Sequence, residues 1–245
     1  MRLKMITNKV KLTWFGHCCF LIELAGRKIL TDPYDTFNNV DVGQIESEYL
    51  LISSTWHDHG NIATSPKSHI LSYSGRFEKD NLLITGIETR ETRGTPNIIF
   101  NIQQDGVSIT NFADWGDPSS IKEFTREENN ILQSTNIAFA RSNEIDIENG
   151  IQCAELALRV CKPRVLVIHH FFPRSFITEQ DAKIIRKGLV YYETLLDRLT
   201  NKLPFKTEFI NDYKTDLDIT SLQQNTMLVF SKVHPQVRYL KKGGV

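Results

Sequence analysis

The sequence predicts an α+β protein in which β-sheets pack face to face under a cover of helices. Three observations lead there. The first half of the chain reads as strands and turns. The second half alternates strands with amphipathic helices. No repeat, low-complexity tract or Pro/Gly/Ser-rich linker divides the 245 residues, so a single domain over residues 1–245 is expected.

The elements follow in order. Lys11 to Leu24 is rich in Phe, Trp, Cys and Ile, and Ala25-Gly-Arg-Lys28 turns it into Ile29 to Asp32, a hairpin signal. Tyr49 to Ser53 is a short apolar run that suits a buried strand, with weaker strands over His69 to Tyr73 and Leu82 to Thr89. Asn97 to Gln103 and Val107 to Phe112 flank Asp105-Gly106, which supplies the positive φ angles a tight turn needs. Asn136 to Ala140 reads as a strand. Glu148 to Val160 has helical apolar spacing and is stopped by Pro163. Arg164 to Ile168 is a buried strand ending in His169-His170. Thr178 to Leu199 has the spacing of a second amphipathic helix, and Phe205 to Ile210 and Met227 to Phe230 are late strands.

Composition narrows the function. Lys+Arg and Asp+Glu are equal at 29 each, which gives no basic footprint for nucleic acid or an anionic membrane. No apolar run reaches the roughly 20 residues that span a bilayer, and Met1 to Val10 lacks the apolar core of a signal peptide. Cys18 and Cys19 are adjacent, and Cys153 and Cys161 lie about 12 Å apart on a helix, at about 1.5 Å per residue. Neither pair suits a disulfide. Four reduced thiols in a cytoplasmic protein are the expectation.

Metal-capable side chains concentrate in one place. Ser53 to Gly60 follows a strand directly and contains His57, Asp58 and His59. Imidazole and carboxylate suit zinc, and also iron or manganese. Asp114 ends the strong hairpin, and His169-His170 ends a buried strand, where successive side chains face opposite ways. His, Asp, Asp and His thus stand at three strand ends.

These segments resemble the metallo-β-lactamase superfamily, and most closely its UlaG-like branch of metal-dependent hydrolases. Leu12-Thr-Trp-Phe-Gly-His-Cys-Cys-Phe-Leu-Ile22 resembles that branch's opening strand with its Gly-His pair. Gly26 to Pro33 resembles the following "G-K-x-I-L-x-D-P". Leu50 to His59 stands in the place of "T-H-x-H-x-D-H", Gly94 to Asp114 resembles the hairpin ending in "H-x-G-D", and Pro163 to Phe171 the closing strand. The resemblance covers residues 11–171 and loosens after about 175. It implies a four-layer αββα sandwich with the site at one edge.

The departures from the motif are specific. Ser54 and Trp56 stand where the family has the first two histidines of its first metal, and residues 85–95 hold no histidine for the third. Asp58, His59, Asp114 and His170 match the second-metal set position by position, with His57 at a variable position, where it points elsewhere or serves as an auxiliary ligand. The resemblance therefore implies one divalent ion, zinc first and manganese or iron as alternatives. It implies a hydrolase of an ester, lactone or phosphodiester bond in a small molecule, using a mononuclear metal-bound water, with Asp58 and His17 as the catalytic side chains. His17 also fits a buried histidine bonded to backbone, and Trp56 either an apolar plug or a pocket wall. The missing ligands favour a second reading, an inactive member kept for binding a ligand or partner.

Overall fold

The computed structural model describes residues 9–35, 40–56, 58–91, 94–116, 122–142, 147–173, 176, 192–222 and 225–240. Strands β1 (Lys9–Trp14), β2 (Phe20–Leu24), β3 (Arg27–Thr31), β4 (Val40–Asp41), β5 (Tyr49–Leu51), β6 (His69–Leu71), β7 (Gly75–Lys79), β8 (Leu82–Arg90), β9 (Pro96–Gln104) and β10 (Val107–Asn111) fill the first part. Helix α1 (Arg126–Gln133), β11 (Ile137–Arg141), α2 (Ile147–Val160), β12 (Val165–His169), α3 (Tyr192–Lys202), β13 (Lys206–Ile210), β14 (Lys214–Asp218), β15 (Thr226–Phe230) and β16 (Arg238–Tyr239) follow. The helix expected over Thr178 to Leu199 lies outside the described residues up to residue 191, and α3 forms its described end.

Two mixed sheets result. One has six strands in the order β14-β1-β2-β3-β5-β6, the other eight in the order β13-β15-β12-β11-β10-β9-β8-β7. The two expected hairpins form at Ala25-Gly26 and Asp105-Gly106, whose φ angles are 47°, 83°, 49° and 83°. Both are Xaa-Gly turns with the positive φ that matches strand twist. The chain passes from the first sheet to the second between residues 71 and 75, earlier than its midpoint, and β14 then returns to pair with β1.

One apolar core joins the sheets. Phe20 meets Phe139 and Phe230 across the gap at ring-centroid distances of 4.9 and 5.8 Å, and Trp14 meets Phe171 at 4.9 Å. Full burial of each such ring contributes about 1.5–3 kcal/mol. Among the described residues, α2 packs on β11 and α3, and α1 on α2, so these helices cover the eight-stranded sheet. On the six-stranded sheet, Leu21, Leu30, Leu50 and Ile52 are covered by Val40, Val42, Ile45 and Val237, on and beside the β4–β16 ladder. The four cysteines are buried and reduced. No helix among the described residues is long and apolar enough to cross a membrane.

Candidate metal centre

The centre forms where parallel strands from both sheets end together. β3 and β5 run parallel and deliver Asp32 and the loop Ser53 to His59. β10, β11 and β12 also run parallel, and they deliver Asp114, Arg141 and His170. The turn between β1 and β2 adds His17. Side chains at strand ends inherit the rigidity of the sheets behind them.

Asp32 ties the loops together. Its Oδ1 accepts from Ser53 N at 2.7 Å and its Oδ2 from Asn111 Nδ2 at 3.1 Å, and Oδ1 lies 3.6 Å from His59 Nδ1. The Ser53 hydroxyl also faces His59 Nδ1, at 3.2 Å. Polar groups thus engage Nδ1, and Nε2 is left to point inward, the arrangement usual behind a metal-bound imidazole. The Cys18 thiol donates to Asp58 O at 3.0 Å and Asp32 O at 3.3 Å. Burial holds that thiol protonated, with its pKa pushed up to about 12.

The four residues matched to the second-metal set come together. His59 Nε2 is 3.1 Å from Asp114 Oδ2, His170 Nε2 is 3.1 Å from Asp114 Oδ1, and Asp58 Oδ2 is 3.9 Å from His59 Nε2. His17 joins them, with Nε2 3.6 Å from Asp58 Oδ2. Ligand atoms of His59, Asp114 and His170 lie within 4.8 Å of one another, and so do those of His17, Asp58 and His170. His57 lies outside the described residues.

This donor set fits a divalent cation. His59 Nε2, His170 Nε2 and Asp114 Oδ1 are buried without a hydrogen bond among the described residues. Buried polar atoms left in that state are costly. Two atoms bound to a tetrahedral zinc at about 2.0–2.1 Å stand about 3.3 Å apart, close to the two 3.1 Å separations at Asp114. Burial lowers the His17 and His170 pKa values, which keeps those rings neutral with a lone pair to give. Burial opposes charge on His59 as well, but the Asp114 and Asp32 carboxylates raise it well above the usual range. Burial also works against the Asp114 charge, and His59 and His170 overcome it, holding that carboxyl well below the ordinary carboxylate range.

Of the paired strand-end histidines, only His170 turns to the centre. His169 is buried toward the inter-sheet core, 6.5 Å from Phe20 between ring centroids. Ser54 is buried, whereas Trp56 is 45% exposed and fills no interior vacancy, which overturns the plug reading. The Trp56 carbonyl instead accepts from His59 N and Gly60 N at 2.9 and 3.0 Å, which shapes the ligand turn.

Two neighbours escaped sequence reasoning. Arg141 Nη1 approaches Asp114 Oδ1 at 3.5 Å. Glu91 is buried, and burial together with the Asp114 charge pushes its carboxyl up to about 7. The signal for Arg141 was its place at the end of β11, level with the ends that carry Asp114 and His170. Glu91 falls in the stretch searched for a histidine, where a carboxylate went unconsidered.

Comparison with known proteins agrees with this architecture. Residues 11–132 match the family model described as Beta-lactamase superfamily domain. A UPF0173 protein of Pyrococcus furiosus is 40% identical over 50 residues, 20% of this chain and 23% of that protein. A UPF0173 metal-dependent hydrolase of Carboxydothermus hydrogenoformans is 33% identical over 78 residues, 30% of this chain and 34% of the other. The matched segments thus span about a quarter to a third of these relatives. Among solved structures, a metallo-beta-lactamase superfamily protein of Thermotoga maritima superposes with a TM-score of 0.59 at 17% identity, covering 90% of this chain and 98% of the other. Igni18, a metallo hydrolase of Ignicoccus hospitalis, gives 0.52 at 16% identity, covering 79% and 91%. The chain therefore carries, over residues 11–132, a domain of the metallo-β-lactamase superfamily, and its two sheets have that superfamily's fold.

Proposed function

We propose that this chain is a metal-dependent hydrolase that cleaves an ester, lactone or phosphodiester bond in a small molecule and uses one divalent ion. The mutual approach within 4.8 Å of ligand atoms of His59, Asp114 and His170, with His59 Nε2, His170 Nε2 and Asp114 Oδ1 buried and without a hydrogen bond among the described residues, carries the reading. Asp58, His59, Asp114 and His170 would hold the ion, zinc first by donor type and manganese or iron as alternatives. Such an ion supplies Lewis-acid chemistry, acidifying water and polarising the bond to be cut.

The chain's own groups do the rest. Asp58 is partly open to solvent, and its Oδ2 faces both His17 and His59, so it can orient water and accept a proton from it. Burial resists its charge, but the His17 contact and the neighbouring imidazoles keep it ionised. His17, neutral and 3.6 Å from Asp58, is placed to steady that carboxylate, to take on the proton that Asp58 accepts from water, and as imidazolium to hand it to a leaving oxygen.

The test is a screen of p-nitrophenyl esters and bis(p-nitrophenyl) phosphate with added Zn²⁺, Mn²⁺ or Fe²⁺. Turnover should vanish with chelator and fall at least a hundredfold in Asp58→Ala. Turnover that survives both treatments refutes the mechanism. A folded, metal-loaded protein inert to the whole panel points instead to the ligand-binding role that Ser54 and Trp56 favour.

A further inference from the structure

Asp114 is approached through both of its oxygens. Oδ2 faces His59, while Oδ1 faces His170 Nε2 at 3.1 Å and Arg141 Nη1 at 3.5 Å. Arg141 is 7% exposed and is gripped from α2: Nη2 donates to Asn149 Oδ1 at 2.9 Å, and Nε to Cys153 Sγ at 3.4 Å. The buried Glu91 carboxyl lies within electrostatic reach of both Asp114 and Arg141. A guanidinium does not give up its proton in a protein, so this is a permanent positive charge, and at such depth water screens it weakly.

A carboxylate with two open oxygens can bridge two metal ions. Here one of the two already has a cation beside it, held by Asn149 and Cys153 among its described contacts. We propose that Arg141 is the built-in second cation of this centre: by occupying the Oδ1 side of Asp114 it limits the site to one divalent ion and loosens the hold on that ion. The inference deepens the metal-centre reading above and rests on it. Arg141 acts through Asp114 and is a positioning residue. Without its side chain, the space beside Asp114 Oδ1 would be bordered by Asn149 Oδ1 and Cys153 Sγ, an oxygen and a sulfur donor that with Asp114 could hold a second, weaker zinc.

The experiment needs no substrate. Untagged full-length wild type, Arg141→Lys, Arg141→Met and Arg141→Ala are stripped of metal and checked for folding by circular dichroism. Each is then titrated with Zn²⁺ against a chromophoric chelator, and bound metal is counted by mass spectrometry after desalting. Wild type and Arg141→Lys should bind one equivalent with affinities within a few-fold of each other. Arg141→Met, which keeps the aliphatic bulk and drops the charge, should bind the first ion at least tenfold more tightly. Arg141→Ala should do so as well and take up a second, weaker equivalent. A folded Arg141→Met that binds no more tightly than wild type overturns the role of Arg141 and leaves the metal centre standing, as would a wild type that binds two ions. A wild type that binds none overturns the metal-centre reading, and this proposal with it.

Discussion

His17 and His170 are clasped through their own main chains. His170 N donates to His17 O at 3.0 Å, His17 N donates to Phe171 O at 2.9 Å, and the two rings sit 3.8 Å apart between centroids. Both residues hold positive φ, 51° and 75°, where side-chain-bearing residues are strained. The β1–β2 turn and the end of β12 are thereby fixed to one another, and each ring is aimed at the same small volume. Gly16 permits the approach, since a Cβ there would stand 2.5 Å from the Phe172 ring. The clasp is made by the main chain and survives loss of the ring in either variant, but only glycine relieves the strain, so His17→Ala and His17→Gly should differ. Glycine should be the more stable by about 1 kcal/mol, because alanine keeps the left-handed penalty. Thermal unfolding of the two metal-free variants measures it.

Asp32 is the knot beneath the centre, and its two hydrogen bonds are charge-assisted and buried. Asp32→Ala should cost about 3 kcal/mol in chemical denaturation, since such bonds contribute about 1.5–3 kcal/mol each. Metal affinity should fall about 10–100-fold as His59 loses its orienting neighbour. Asp32→Asn keeps the size but sets an amide donor against either Ser53 N or Asn111 Nδ2, and the affinity should drop there too.

Much of this was legible in the sequence, for local reasons. The two hairpins showed because Gly26 and Asp105-Gly106 accept positive φ with little cost, and β12 showed because Val165 to Ile168 is apolar and branched. Asp58, His59, Asp114 and His170 were visible through motif spacing. What escaped notice depends on contacts far apart in the chain. β14 reads Lys-Thr-Asp-Leu-Asp and looks like loop, because as an edge strand it buries only Leu217 and draws its order from β1. Arg141 has no motif, and its meaning arises only when β10, β11 and β12 align their ends. The break at Phe15 to Cys19, which splits the expected long first strand in two, is set by the partner segment at Phe171.

Helix α1 offers a test of pH dependence away from the centre. Thr125 caps it, with its hydroxyl accepting from Glu128 N while Glu128 accepts from Thr125 N. Thr125→Ala should cost about 1 kcal/mol. Burial slightly opposes the Glu128 charge, but the Lys122 contact and the cap lower its pKa from 4.5. A lowered carboxyl pKa stabilises the fold above the unfolded value and loses that effect as the medium acidifies. The gap in melting temperature between wild type and Glu128→Gln should be full at pH 7 and shrink as pH falls below 4.5 toward the folded value.

Trp56 should act on substrates and leave the metal alone. Its carbonyl shapes the ligand turn, while its indole is 45% exposed on the loop that bears Asp58. Trp56→Ala should keep zinc affinity within about threefold and raise KM several-fold for aromatic esters, with kcat little changed, since a wall contributes mainly uniform binding. A Trp56→Ala variant that loses zinc would place the indole in the ion's support.

The pairing of β1 with β14 sets a timetable for the nascent protein. Val10 lies opposite Leu217, so β1 waits for a strand made about two hundred residues later. At about 5–20 residues per second, that edge stays open for about 10–40 s while the ribosome works. During this interval β1 can pair on its β2 side alone, and its other rim is a ready template for another chain. Premature stops before Lys214 should therefore release fragments whose sheets are largely specified yet sticky. Aggregation of such fragments, rather than loss of a ligand, is the hazard this topology builds in.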